Sequence, residues 1–150
     1  MALPELLALV ETRFKTRFPD VDGIETFYPN DQVKERPAEG LHRELEWEVG
    51  ESDPIAVRDG DAGRDWTPVT LVVKVFTKIG LSPQPAIEAA QAIRQSFSEP
   101  PVSEVVGSGA VHYEGGSIAI VGRTRQTPDF FRVDARIRAA IEESTGATST

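Results

Sequence analysis

The sequence contains no cysteine, which excludes disulfides and thiolate-held metal sites. It has no apolar run long enough for a transmembrane helix. Residues 1–15 lack a basic segment followed by an apolar core, because Arg13 and Lys15 come after the apolar residues, so no secretory signal is expected. Histidine is scarce. His42 and His112 are far apart, stand in no ligand-type spacing, and read as surface or edge-strand residues rather than as a site. No Walker or G-x-S-x-G sequence occurs, and neither Ser103 nor Ser117 has the flanking context of a nucleophile. Gly107-Ser108-Gly109 lacks the third glycine of a dinucleotide fingerprint and opens no helix. Asp59, Asp61 and Asp65 alternate as in a calcium loop. However, Arg64 stands where the EF-hand needs glycine and Thr70 where it needs a bidentate glutamate, so a polar turn is the reading. No catalytic, cofactor-binding or metal-ligating motif is therefore found in the sequence.

What is present suits one modest domain. The chain has 150 residues, 39% of them hydrophobic and 27% charged, within the ordinary globular range. The formal net charge of -8 disfavours a dedicated nucleic-acid binder, which needs a positive surface. Charge is uneven along the chain. Acids crowd the middle (Glu44, Glu46, Glu48, Glu51, Asp53, Asp59, Asp61, Asp65), and arginines the last third (Arg123, Arg125, Arg132, Arg136, Arg138). Either these are solvated faces, or two complementary patches meet within one copy or between copies.

Val69–Phe97 organises the rest. Residues 69–76 are apolar on nearly both faces and read as an internal strand. Gly80 and Pro83 mark a turn, Ser82 suits an N-cap, and a helix follows from Pro83 to Phe97 with Ile87, Ala90, Ile93 and Phe97 on one stripe. Pro4–Phe18 reads as a first helix, buried along Leu3, Leu6, Leu7, Val10, Phe14 and Phe18, with Glu11, Arg13, Lys15 and Arg17 off that stripe. Ile24–Tyr28 is a short strand and 29–42 a loop. Residues 44–49 alternate strictly, with Leu45, Trp47 and Val49 on one side and three glutamates on the other. That acidic side is either an exposed face that resists aggregation or a surface meant to stay negative.

Gly50–Pro68 reads as a long loop, with Trp66 as its anchor. After a short strand at 102–106, Glu114-Gly115-Gly116 signals a hairpin between 110–113 and 117–121. Ile118-Ala119-Ile120-Val121 is apolar on both faces and should be internal. Phe130–Ile137 alternates, with Phe131, Val133, Ala135 and Ile137 inward and Arg132, Asp134 and Arg136 outward. Residues 139–144 suggest a helical turn, and 145–150 a polar tail, disordered unless a neighbouring subunit holds it. The sum is an α+β fold: a single domain over 1–144, with two main helices on a mostly antiparallel or mixed sheet.

The order of these features resembles the tail terminator proteins of long-tailed bacteriophages. The resemblance rests on the N-terminal helix, Tyr28-Pro29-Asn30, the Trp47 strand before a long loop, the Val69–Gly80 strand and turn, the helix ending at Phe97 and the late strand Phe130–Ile137. It implies a virion protein of the tail, assembled in the host cytoplasm. Such proteins form a hexameric ring that caps the tail tube, stops its polymerisation and joins it to the head connector. The implied partners are other copies of the chain, the tail tube protein and the head–tail connector protein; the resemblance further implies that the chain is not an enzyme and that no cofactor, metal or membrane is involved. On that basis Arg132, Arg136 and Arg138 are expected to meet Asp59, Asp61 and Asp65 of the next copy. Glu44, Glu46 and Glu48 are expected to line a passage through which DNA slides without specific binding. The alternative is a small cytoplasmic ligand-binding or enzyme-like α+β domain, with a pocket under the 50–68 loop near Trp47 and Trp66.

Overall fold

The strand at the centre of the sequence reading is the centre of the fold, and it is longer than its apolar run. In the computed structural model, β4 spans Arg64–Lys78 and pairs along its whole length with β7, Phe130–Ser144. Residues 3–19, 24–29, 41–51, 53–55, 64–80, 82–106, 109–125 and 128–144 are described; Asp59, Asp61 and the 145–150 tail lie outside them. The other elements are α1 (Leu3–Arg17), β1 (Ile24–Phe27), β2 (Leu41–Val49), β3 (Asp53–Ile55), α2 (Gln84–Ser98), β5 (Ser103–Val106) and β6 (Gly109–Gly122).

The seven strands form one mixed sheet in the order β1-β2-β4-β7-β6-β5, with β3 pairing β4 beyond the end of β2. Among the described strand pairs, only β1–β2 is parallel. The chain is thus an α+β domain with two described helices on one sheet, as the sequence implies.

One face of the sheet and the two helices share the core. Leu45, Val69, Leu71, Val73, Val75, Val133, Ala135, Ile137 and Ile141 from the strands meet Leu6, Val10 and Phe14 of α1 and Ala86, Ala90, Ile93 and Phe97 of α2. The helical spacing puts these residues on one stripe, and burying the stripe is what makes helices of this length stable. Ile87 is only partly buried, because Ala86 takes the position nearest the sheet. Pro83 stands at the N-cap itself, and the Ser82 hydroxyl accepts the Gln84 N–H at 3.3 Å.

Five sequence expectations are corrected here. The 50–68 segment is not one loop, since β3 and the first five residues of β4 are paired strand from Arg64 on. Pro68 fits because it lies where the neighbour of β4 changes from β3 to β2. Glu114-Gly115-Gly116 is not a hairpin turn: β6 continues through it with a bulge between Tyr113 and Gly115, and Gly115 takes the positive φ of 99°. Gly116 is needed for closeness, since a Cβ there would lie 2.9 Å from the Arg136 carbonyl oxygen. Residues 139–144 are strand, because pairing with both β4 and β6 overrides their helical preference. Residues 118–121 are not internal: Ile120 is 61% and Val121 40% exposed. Finally, Leu41 and His42 belong to β2 and not to a loop.

Candidate functional site: the helix-free sheet face and its margins

The second face of the sheet carries no described helix, and strand alternation dictates what it shows. Val69, Leu71, Val73 and Val75 point to the helices, so Trp66, Thr70, Val72, Lys74 and Phe76 point away. By the register, Glu44, Glu46 and Glu48 of β2 and Arg132, Asp134, Arg136 and Arg138 of β7 share that face.

The two charge patches of the sequence therefore meet within one copy. Lys74 Nζ lies 2.7 Å from Glu46, Arg136 donates to Glu48, and His42 Nε2 lies 3.4 Å from Glu44. Arg132 donates twice to Asp134, at 2.7 Å each, and that hydrogen bond, ahead of more distant carboxylates, raises the guanidinium further above its ordinary value. Asp134, expected to point out into solvent, is only 3% exposed. Hence Arg132 and Arg136 are engaged by their own chain, and two of the three glutamates of the ladder, Glu46 and Glu48, are paired with cations. Arg138 is exposed, with no ion pair among the described residues. Asp65 is half-buried on β4, opposite Glu143.

Val72 is 1% exposed although no described helix covers it. Its register neighbours are Glu46 and Arg136, whose long stems flank it. At one end of the face, His42 is 1% exposed, stacked on Phe76 at 4.6 Å and met edge-on by Phe27 and Phe130. A surface or edge-strand histidine was expected; β1 lies outside β2 and closes it in.

At the other end, three strands bring together residues distant in sequence. The Ser103 hydroxyl lies 2.9 Å from His112 Nδ1, and His112 Nε2 lies 3.0 Å from Glu142. Trp66 stacks on the imidazole at 5.2 Å. With Glu142 accepting from Nε2–H, Nδ1 accepts the Ser103 proton, which is the order of nucleophile, base and carboxylate. An acyl-transfer site also needs donors for an oxyanion. The cationic groups of the adjoining groove, Arg13 and Arg17, are already spent on carbonyl oxygens and on Glu104. That groove, of about 440 Å³, runs between α1 and β5 and is lined by Leu9, Thr12, Thr16, Pro101 and Val105 among others. Trp47 and Trp66 lie on opposite faces, since the Trp47 indole N–H donates to Glu11 of α1 at 2.7 Å. They therefore line no common pocket.

The residue the sequence reading missed is Arg13. It was placed off the buried stripe, yet it is 7% exposed. Its guanidinium donates to the carbonyls of Pro101 (2.6 Å) and Glu99 (2.9 Å) and to Glu104 (3.0 Å), and it sits over the Tyr113 and Phe97 rings. Tyr113 donates to the same carboxylate at 3.2 Å. Arg43, 5% exposed, plays a matching part just past the C-terminus of α1, donating to Thr26 and to the Phe18 carbonyl.

Burial first, then the charge of Glu104, pushes the Tyr113 phenol well above its ordinary value of 10.0. The unfolded phenol loses its proton first as pH rises. The stabilisation is therefore complete below about pH 10 and declines above it. Alkaline titration of the urea midpoint should show the decline, and Tyr113→Phe should flatten it by about 1.4 kcal/mol per pH unit. Equal slopes for the two proteins would contradict this.

The fold and this surface define an α+β domain with both described helices on one face of the sheet and a charge ladder on the other. No protein-family model matches the chain, and no curated protein matches its sequence. Among the described residues no group of three or more His, Asp or Glu side chains is placed to hold a metal ion, and no helix is long and apolar enough to cross a membrane.

Proposed function

We propose that this chain is a structural ring subunit of the tail terminator kind. It caps a phage tail tube, ends its polymerisation and joins it to the head connector, with no bond made or broken. The observation that carries the reading is the sheet face on which no described helix lies. Strands of 14 and 15 residues lie side by side with both described helices on the other face. A broad face bearing paired charge suits contact with other protein copies better than it suits enclosing a small molecule.

The arginine contact between copies rests on Arg138, since Arg132 and Arg136 are held by Asp134 and Glu48. Its partner is an acid of the next copy, such as Asp65. A face whose cations Lys74 and Arg136 are paired with glutamates, on a chain of net charge -8, offers DNA no positive field, so DNA passes without sticking.

Arg138→Glu tests this with little risk to the fold, because an exposed charge contributes about 0–1 kcal/mol to stability. The expected result is a folded protein whose ring assembly, alone or on tube protein, is weakened about tenfold, with Asp65→Lys restoring it in part. Wild-type assembly in Arg138→Glu would remove the contact.

One observation favours the enzyme-like alternative, the Ser103–His112–Glu142 chain. Turnover of an activated ester, lost in Ser103→Ala, would support that alternative and count against the ring.

A further inference from the structure

Within the apolar run at 118–121, Ala119, Ile120 and Val121 are exposed, where β6 outruns its neighbour. β5 covers β6 only over Gly109–His112, with one more bond from the Tyr113 N–H to the Val102 carbonyl at 2.8 Å. β7, on the other side, stays paired as far as Gly122. From Glu114 to Gly122 the outer side of β6 thus has no described strand beside it, and no described backbone group bonds to it. In a strand paired on one side, alternate N–H and C=O groups point to the vacant side.

Sheet edges are normally blunted with lysine, proline or a bulge. Residues 115–122 read Gly-Gly-Ser-Ile-Ala-Ile-Val-Gly, with no charge and no proline. The two bulges stand at the ends of the stretch, between Tyr113 and Gly115 and between Ile120 and Gly122, and leave regular pairing from Gly115 to Ile120. Ser117, Ala119, Ile120 and Val121 are all exposed there. Such an edge accepts an added strand.

We propose that the added strand is the same stretch of a second copy, laid antiparallel about a two-fold axis through the sheet. The charges at its two ends single out this occupant. Glu114 at one end and Arg123 at the other are both exposed. With Ala119 facing its symmetry mate, Gly115 falls opposite the partner's Arg123, so each Glu114 lies within one residue of an opposite charge. The geometry creates that pairing twice. A parallel addition would set Glu114 beside Glu114 and Arg123 beside Arg123, which is unfavourable. Two copies that each carry -8 repel on approach, and the uncharged stretch is where that repulsion is least. The contact uses one surface twice, whereas a ring joins unlike surfaces, so it does not depend on the ring reading.

The test is a concentration series by native mass spectrometry and amide hydrogen exchange on the full chain. The expected result is a two-fold species that grows with concentration, with protection of 115–121 amides growing in step. Ala119→Lys with Ile120→Lys, both at exposed positions, should abolish both signals while the circular dichroism stays native. Glu114→Arg or Arg123→Glu alone should weaken pairing roughly five- to tenfold, and the two together should restore it. Concentration-independent exchange at 115–121, pairing that survives the lysines, or a charge swap that fails to restore it would each overturn the proposal.

Discussion

Arg13→Ala is expected to cost about 3–5 kcal/mol, the range for breaking a buried charge pair from one side. Three groups lose their donor at once: the Pro101 and Glu99 carbonyls and the Glu104 carboxylate. Glu104 keeps only the Tyr113 hydroxyl among its described partners, and its side chain is 21% exposed, so water compensates poorly. The Tyr113 and Phe97 faces lose the cation as well. Arg13 also ties α1 to the segment that leads from α2 into β5, so the loss is not local. Lysine should recover little, because a single ammonium lacks the fork that reaches several acceptors together. Urea unfolding of wild type, Arg13→Ala and Arg13→Lys measures this. A change in midpoint equivalent to less than about 1 kcal/mol would mean that the guanidinium is not holding β5 in place.

Asp134→Ala should give the next largest loss, about 2–4 kcal/mol. Asp134 is buried in the middle of the helix-free face, opposite Lys74 on β4 and Ala119 on β6. It accepts both hydrogen bonds from Arg132, and no other acceptor of Arg132 is seen among the described residues. Its removal leaves Arg132 and Lys74 close together without the anion between them. Asp134→Asn keeps the shape but points an amide donor at a donor, so it should recover less than half of the loss. The contrast with Arg136→Ala is the control: that pair with Glu48 is exposed, and its removal should cost about 1 kcal/mol or less. Thermal unfolding of the three variants decides the ranking. Equal effects at Asp134 and Arg136 would contradict it.

Periodicity made the helices and the central strand legible. The stripes of α1 and α2 and the apolar run inside β4 are local patterns, and the structure places them within a residue or two of the reading. What failed was decided by long-range pairing. Gly115-Gly116 looks like a turn in isolation. In the fold, one glycine supplies a bulge and the other lets β6 lie close against the Arg136 carbonyl. Pro54 and Pro68 argue for a loop, but each sits in or beside a short strand at the margin of β4.

The surface was only half legible. The charge patches were visible in the sequence, but nothing local says that Arg136 reaches a glutamate 88 positions away. Arg13 shows the same limit, since its partners lie 83 to 91 positions downstream. Ser103, His112 and Glu142 became neighbours only through the order β5-β6-β7. The exposed edge was likewise hidden. An apolar run on both faces reads as interior unless the length of the neighbouring strand is known.

Native mass spectrometry of the purified chain, alone and with tail tube protein, addresses the proposed function most directly. The account predicts closed assemblies larger than a dimer, formed alone or on the tube, and an end to tube growth when the chain is added. Monomers or dimers at every concentration, with tube growth unaffected, would contradict it, and dimers alone would leave only the β6 edge contact standing.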